Sequence, residues 1–132
     1  MSLPEYGRVV IIDDNIKEVE ALIKVLSKHR TSITYFTGAN NELPDTPFPD
    51  VRIVFLDVVL EGLTGKDTKT IVSTLIGILG KIVDKNNGPF VIVLWTKHPE
   101  HVKGLKKALK TEKYKYILID LEKKDFFDQN GG

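Results

Sequence analysis

The chain is predicted to be an α/β protein, a single doubly wound domain whose five parallel strands carry helices on both faces. Three observations support this. The runs Val9-Val10-Ile11-Ile12, Val51 to Leu56 (broken only by Arg52) and Val91 to Trp95 are rich in β-branched residues. They are continuous rather than alternating, as strands buried on both faces are, and segments of helical period lie between them. The length of 132 residues holds one domain, since a domain takes roughly 100–200 residues.

The elements follow in order. Strand one is Val9 to Ile12. From Asn15 to His29 the residues Ile16, Val19, Leu22, Ile23 and Leu26 recur at steps of three and four, the stripe of an amphipathic helix, with Asp14 or Asn15 as its N-cap. A weaker strand fits Ser32 to Phe36. The segment from Gly38 to Asp50 holds Pro44, Pro47 and Pro49, so a helix there is short or absent. Strand three is Val51 to Leu56. From Asp67 to Val83 a broad apolar face is formed by Ile71, Val72, Leu75, Ile76, Leu79, Ile82 and Val83. Asn86-Asn87-Gly88-Pro89 stops it with turn chemistry. Strand four is Val91 to Trp95. A third helix, Pro99 to Leu109, turns Val102, Leu105, Ala108 and Leu109 inward and lysines outward. Strand five is Tyr114 to Ile119, and the tail after Asp120 has room for a short helix at most. This alternation implies a parallel sheet with right-handed crossovers, which binds ligands beyond the carboxyl ends of its strands.

Composition excludes several functions. The absence of cysteine removes disulfide scaffolds, iron–sulfur clusters, thiolate zinc sites and thiol nucleophiles, and fits a reducing, cytoplasmic setting. Lys plus Arg number 19 against 18 Asp plus Glu, a net charge of +1, without the basic excess of a nucleic-acid binder. The balance is uneven: residues 1–60 carry nine acidic and six basic groups, residues 61–132 nine acidic and thirteen basic. No apolar run approaches the roughly 18 residues of a membrane span and no secretory signal opens the chain, so no membrane partner is expected. Met1-Ser2-Leu3 and Gly131-Gly132 are compatible with cut edges, which would make the chain a piece of a longer protein.

At the strand ends stand Asp13-Asp14, Asp57 and Thr96-Lys97. Three carboxylates converging on one sheet edge repel unless a cation screens them, and an all-oxygen set suits Mg²⁺ better than zinc or copper. An Asp so neutralised can attack phosphorus and form an acyl phosphate, with a hydroxyl such as that of Thr96 and a lysine as donors to the phosphoryl oxygens. Taken singly, an Asp-Asp pair before a helix is more often a cap, an Asp after a strand a turn residue, and a strand-end Thr a β-former. The joint spacing over three strands is more specific than any one of them.

The stretches Val9-Val-Ile-Ile-Asp-Asp-Asn15, Ile53-Val-Phe-Leu-Asp57 with Gly65 eight residues later, and Val91-Ile-Val-Leu-Trp-Thr96 together resemble the receiver domain of two-component response regulators. The likeness spans residues 4–128. It implies a flavodoxin-like sheet in the order 2-1-3-4-5. It also implies that Asp57 accepts phosphate from a histidine kinase or phosphotransfer protein and that Asp13, Asp14, Asp57 and the Val59 carbonyl hold Mg²⁺. Thr96 would be the switch residue, and a covalently linked output domain is a possible recipient of the signal.

The chain departs from that family in several places. Receivers carry Lys-Pro after strand five, where this sequence reads Asp120-Leu121. Lys97, Lys123 and Lys124 are the lysines placed to replace the missing one. Glu61 stands where the family has Pro, and Lys97 follows Thr96 in place of a small residue. These departures sustain an alternative, a non-phosphorylated pseudo-receiver that serves as an interaction module. A Mg²⁺-dependent phosphohydrolase fits less well, because its nucleophile follows strand one in an Asp-x-Asp pattern that Asp13-Asp14 lacks.

Other features have ordinary readings. His98 and His101 have a metal-ligand spacing without further ligands nearby in sequence, and are expected as exposed helix-start residues. Trp95 is expected in the core, and the lysines from Lys103 to Lys115 as a solvated face. No Gly-Lys-Ser/Thr phosphate loop or Gly-x-Ser-x-Gly elbow is present.

Overall fold

A computed structural model describes residues 7–28, 31–58, 65–96 and 98–122. Its strands are β1 (Arg8–Ile12), β2 (Ile33–Phe36), β3 (Val51–Leu56), β4 (Phe90–Thr96) and β5 (Tyr116–Glu122), and its α-helices α1 (Ile16–Ser27), α2 (Thr68–Ile82) and α3 (Val102–Leu109). The strands form one sheet in the order β2-β1-β3-β4-β5, every pairing parallel. This is the flavodoxin-like arrangement expected from the sequence.

The continuous apolar runs are buried from both sides, as their composition required. Val10, Ile12, Val54, Leu56, Ile92 and Leu94 point into the larger core with Ile71, Leu75, Leu79 and Ile82 of α2 and Val102, Leu105 and Leu109 of α3. Val9, Ile11 and Trp95 point the other way, against Val19 and Leu22 of α1. Trp95 is a core residue, 1% exposed, edge-on to Phe55 with ring centroids 6.1 Å apart.

Helix ends follow local chemistry. Asn15 caps α1, its side chain accepting from Glu18 N, and Asp67 caps α2 by accepting from Thr70 N at 2.8 Å. Between Gly38 and Asp50 the prolines leave only a 3₁₀ turn at Asn40–Glu42 and a single bridge from Phe48 to Val83. The third helix begins as a 3₁₀ turn, Pro99–His101, before α3.

Strand five runs further than the sequence suggested. Its seven residues match β4 one for one, from Phe90 opposite Tyr116 to Thr96 opposite Glu122. Tyr114 lies outside the strand and packs edge-on against Phe90. Asp120, just past the strand expected from the sequence, is accommodated because β5 is an edge strand and Lys106 of α3 reaches it at 2.8 Å. In chain order the residue after β5 is therefore Lys123.

At the opposite, amino edge, Arg8 pairs with Asp50 at 2.8 Å and lies over the Phe48 ring, 3.8 Å from its centroid. Gly7 enters β1 with φ of +143°, and a Cβ there would meet Asp50 O at 2.7 Å, so glycine is required. No described helix is long and apolar enough to cross a membrane.

Candidate functional site

The site is built at the carboxyl edge of the sheet, where the ladder positions backbone before side chains. Asp13 follows β1 and donates its N–H to Phe36 O at 3.1 Å; Asp57 follows β3 and donates to Ile12 O at 2.9 Å. Both residues thus continue the pairing of β1 with its two neighbours, and their carboxylates start from adjoining, fixed positions. The Asp13 Oδ1 accepts from Asn15 N at 2.8 Å, which turns the chain into α1.

Carboxylate oxygens of Asp13, Asp14 and Asp57 all lie within 4.8 Å of one another. Asp13 is fully buried and Asp57 is 4% exposed, so solvent screens their mutual repulsion poorly. The cluster can hold a metal ion. Asp14, partly open to solvent, leaves the cluster accessible to water. All three donors are hard carboxylate oxygens.

The negative field extends to β2. Burial first, then the carboxylates of Asp13, Glu42 and Asp14, push the Tyr35 phenol above its ordinary value. Glu42 is turned toward the loop after β2, accepting from Thr37 N, from Thr37 Oγ1 at 2.8 Å and from Gly38 N at 3.2 Å. Sequence reasoning missed Tyr35 and Glu42. The one signal for Tyr35 is its place near the end of the second strand, one residue before Phe36, which pairs with Ile12.

Thr96 ends β4, the strand beside β3, and so stands on the same edge as Asp57. It is 2% exposed, and its Oγ1 accepts from His98 N at 2.8 Å. That bond uses a lone pair and leaves the hydroxyl proton to donate. Two expected site residues, Val59 and Lys97, lie outside the described residues, as do Glu61, Lys123 and Lys124.

The histidines differ in part from expectation. His98 is half exposed, but the His101 side chain is only 14% exposed, because its Nδ1 lies 2.8 Å from Thr68 Oγ1. Glu100 Oε1 stands 3.4 Å from His98 Nδ1 and 3.7 Å from His101 Nε2. A bond from its own backbone N–H, reinforced by His101 and His98, holds the Glu100 carboxyl below its usual range. Lys103, Lys106, Lys107, Lys110, Lys113 and Lys115 are all exposed, the solvated face expected.

No protein-family description matches the chain, and no curated protein matches it. Among solved structures, it aligns with the crystal structure of adenylate cyclase from Rhodopirellula baltica over 96% of this chain and 85% of that one. The identity is 12% and the TM-score 0.49. At that level the likeness assigns no activity to either the sheet or the carboxylate cluster.

Proposed function

We propose that the chain is a phosphoacceptor signalling domain of the receiver type, with Asp57 as the nucleophile. The observation that supports this most is the meeting of Asp13, Asp14 and Asp57 within 4.8 Å at the edge where a parallel sheet presents its ligand site. A carboxylate oxygen of Asp57 attacks the phosphorus of a phosphohistidine on a histidine kinase or phosphotransfer protein. An O–P bond forms, the N–P bond breaks, and the imidazole leaves with the electron pair. The product is an acyl phosphate on Asp57, which water later cleaves.

Asp13, Asp14 and Asp57, with the Val59 carbonyl, would hold Mg²⁺, which when bound neutralises charge on the carboxylates and the phosphoryl group. The Thr96 hydroxyl, its oxygen already held by His98 N, donates to a phosphoryl oxygen. Lys97 is one candidate for the cation that pairs with that group. Lys123 becomes another, because β5 reaches Glu122. Phosphorylation then biases two arrangements of the loops after Asp57 and Thr96, so the chain is a cytoplasmic switch for a linked output domain or a partner, and not a turnover enzyme.

A second reading, a pseudo-receiver that binds partners without phosphorylation, is favoured by the absence of a Lys-Pro pair after strand five. Amide spectra recorded with Mg²⁺ and beryllofluoride, a phosphoryl mimic, separate the two. The first reading expects shifts around Asp57 and Thr96 that vanish in Asp57→Ala. Unchanged wild-type spectra favour the second. Steady release of phosphate from a small phosphodonor over many turnovers would indicate a phosphohydrolase.

A further inference from the structure

We infer that His98, Glu100 and His101 form a second metal site, one for a divalent transition ion of the zinc type, separate from the carboxylate cluster and independent of the chemistry at Asp57. The three residues lie on one short turn. His98 precedes the 3₁₀ turn Pro99–His101, and His101 N donates to His98 O at 3.4 Å. A bond of that span brings side chains three residues apart to the same side. Glu100, between the two histidines, supplies the third donor that their spacing alone lacked.

One oxygen serves both rings. Glu100 Oε1 stands 3.4 Å from His98 Nδ1 and 3.7 Å from His101 Nε2. Zinc binds imidazole nitrogen and carboxylate oxygen at about 2.0–2.2 Å, which sets neighbouring corners of its tetrahedron roughly 3.4 Å apart. Two of the three edges are therefore close to ligand spacing. The third, between the imidazoles, is wider, and closes by rotation of His98, whose side chain is 49% exposed.

His101 is the fixed member. Its Nδ1 lies 2.8 Å from Thr68 Oγ1, and a hydrogen bond on the ring nitrogen that does not ligate is what orients metal-binding histidines. When Nδ1 donates to that hydroxyl, Nε2 turns a lone pair toward the Glu100 carboxylate. Two acceptors then face one another, an arrangement that a cation relieves.

The donor set decides the class of ion. Imidazole suits zinc, copper, iron and nickel, and two histidines with a glutamate are a set on which zinc keeps a fourth, open position. The site also joins three elements. His98 N donates to Thr96 Oγ1 at the end of β4, His101 leads into α3, and Thr68 is the first residue of α2.

The test is titration of the full chain with Zn²⁺ by calorimetry, with Mg²⁺ in excess to occupy the carboxylate cluster and the imidazole resonances followed by NMR. One ion per chain is expected, moving the rings of His98 and His101 and not that of His29. His98→Ala, Glu100→Ala and His101→Ala, each checked by circular dichroism for retained fold, should weaken binding by at least about tenfold. Asp13→Asn should bind Zn²⁺ as wild type does. A wild type without saturable binding overturns the proposal, as does an affinity unchanged in any of the three alanine variants. So does loss of the site in Asp13→Asn, which would put the ion on the carboxylate cluster.

Discussion

Thr68 Oγ1 and His101 Nδ1 lie 2.8 Å apart although 33 residues separate them in sequence. The bond joins the first residue of α2 to the turn that leads into α3; in chain order Thr68 comes after Asp57 and His101 after Thr96. Thr68→Val and His101→Ala should each lower stability by about 1 kcal/mol, the net worth of a partly buried hydrogen bond. The double variant should cost little more than either alone, since both remove the same bond. Urea denaturation of the four proteins checks this, and strict additivity would show that the contact contributes nothing.

Asn87 has a purely structural role that its place in a turn signature conceals. It is 6% exposed. Its Oδ1 accepts from Val51 N at 2.8 Å, and its Nδ2 donates to Val51 O at 3.0 Å and to Gly88 O at 2.8 Å. It thus closes the backbone of β3 at the strand's first residue, ahead of Ile53, where the pairing with β4 begins. Asn87→Ala strands a buried donor and acceptor and should cost about 3 kcal/mol, read as a fall in the denaturation midpoint. A change within error would mean that water replaces the amide without loss.

The cap of α2 should make stability respond to acid in a defined direction. A side-chain bond and a backbone bond with Thr70 are the main causes that hold the exposed Asp67 carboxyl below its ordinary value. A depressed folded-state value contributes stability that is present above the unfolded value, about 3.9. That stability is lost as pH falls through the folded value. Asp67→Asn keeps an accepting oxygen at the cap but does not titrate. Wild type should therefore lose more Tm than Asp67→Asn between neutral pH and pH of about 3. Parallel losses in the two proteins would contradict the assignment.

The carboxylate cluster gives a metal prediction with a built-in reporter. Trp95 is the sole tryptophan and immediately precedes Thr96 at the site edge. Titration with Mg²⁺ should change its fluorescence saturably, and a chelator should reverse the change. Asp13→Asn should weaken binding by at least about tenfold, the loss seen when even an outer-shell partner is removed. A flat titration in wild type would show that the three oxygens do not act as a metal site.

Much of the fold was legible because burial on both faces leaves its mark in composition. The runs at Val9, Val51 and Val91 became the three central strands, and the two long helical stripes became α1 and α2 within a few residues. Legibility fell where local pattern and tertiary pairing part company. β5 ends at Glu122 and not Ile119, because an edge strand tolerates Asp120 once Lys106 pairs with it. His101 is covered because a residue far away in sequence, Thr68, accepts or donates at its ring. Of the candidate site, the three carboxylates were readable from their strand-end spacing. The influence of Tyr35 and the position of Glu42 were not, since both depend on how the loop after β2 folds back.

The central claim is that Asp57 is a phosphoacceptor, and locating the modified residue tests it most directly. The protein is incubated with Mg²⁺ and acetyl phosphate, reduced with borohydride to convert an aspartyl phosphate to homoserine, digested and sequenced by mass spectrometry. The account predicts homoserine at position 57, dependent on Mg²⁺, strongly reduced in Asp13→Asn and absent in Asp57→Ala. An unmodified residue 57 in wild type, or equal modification in Asp57→Ala, would contradict it.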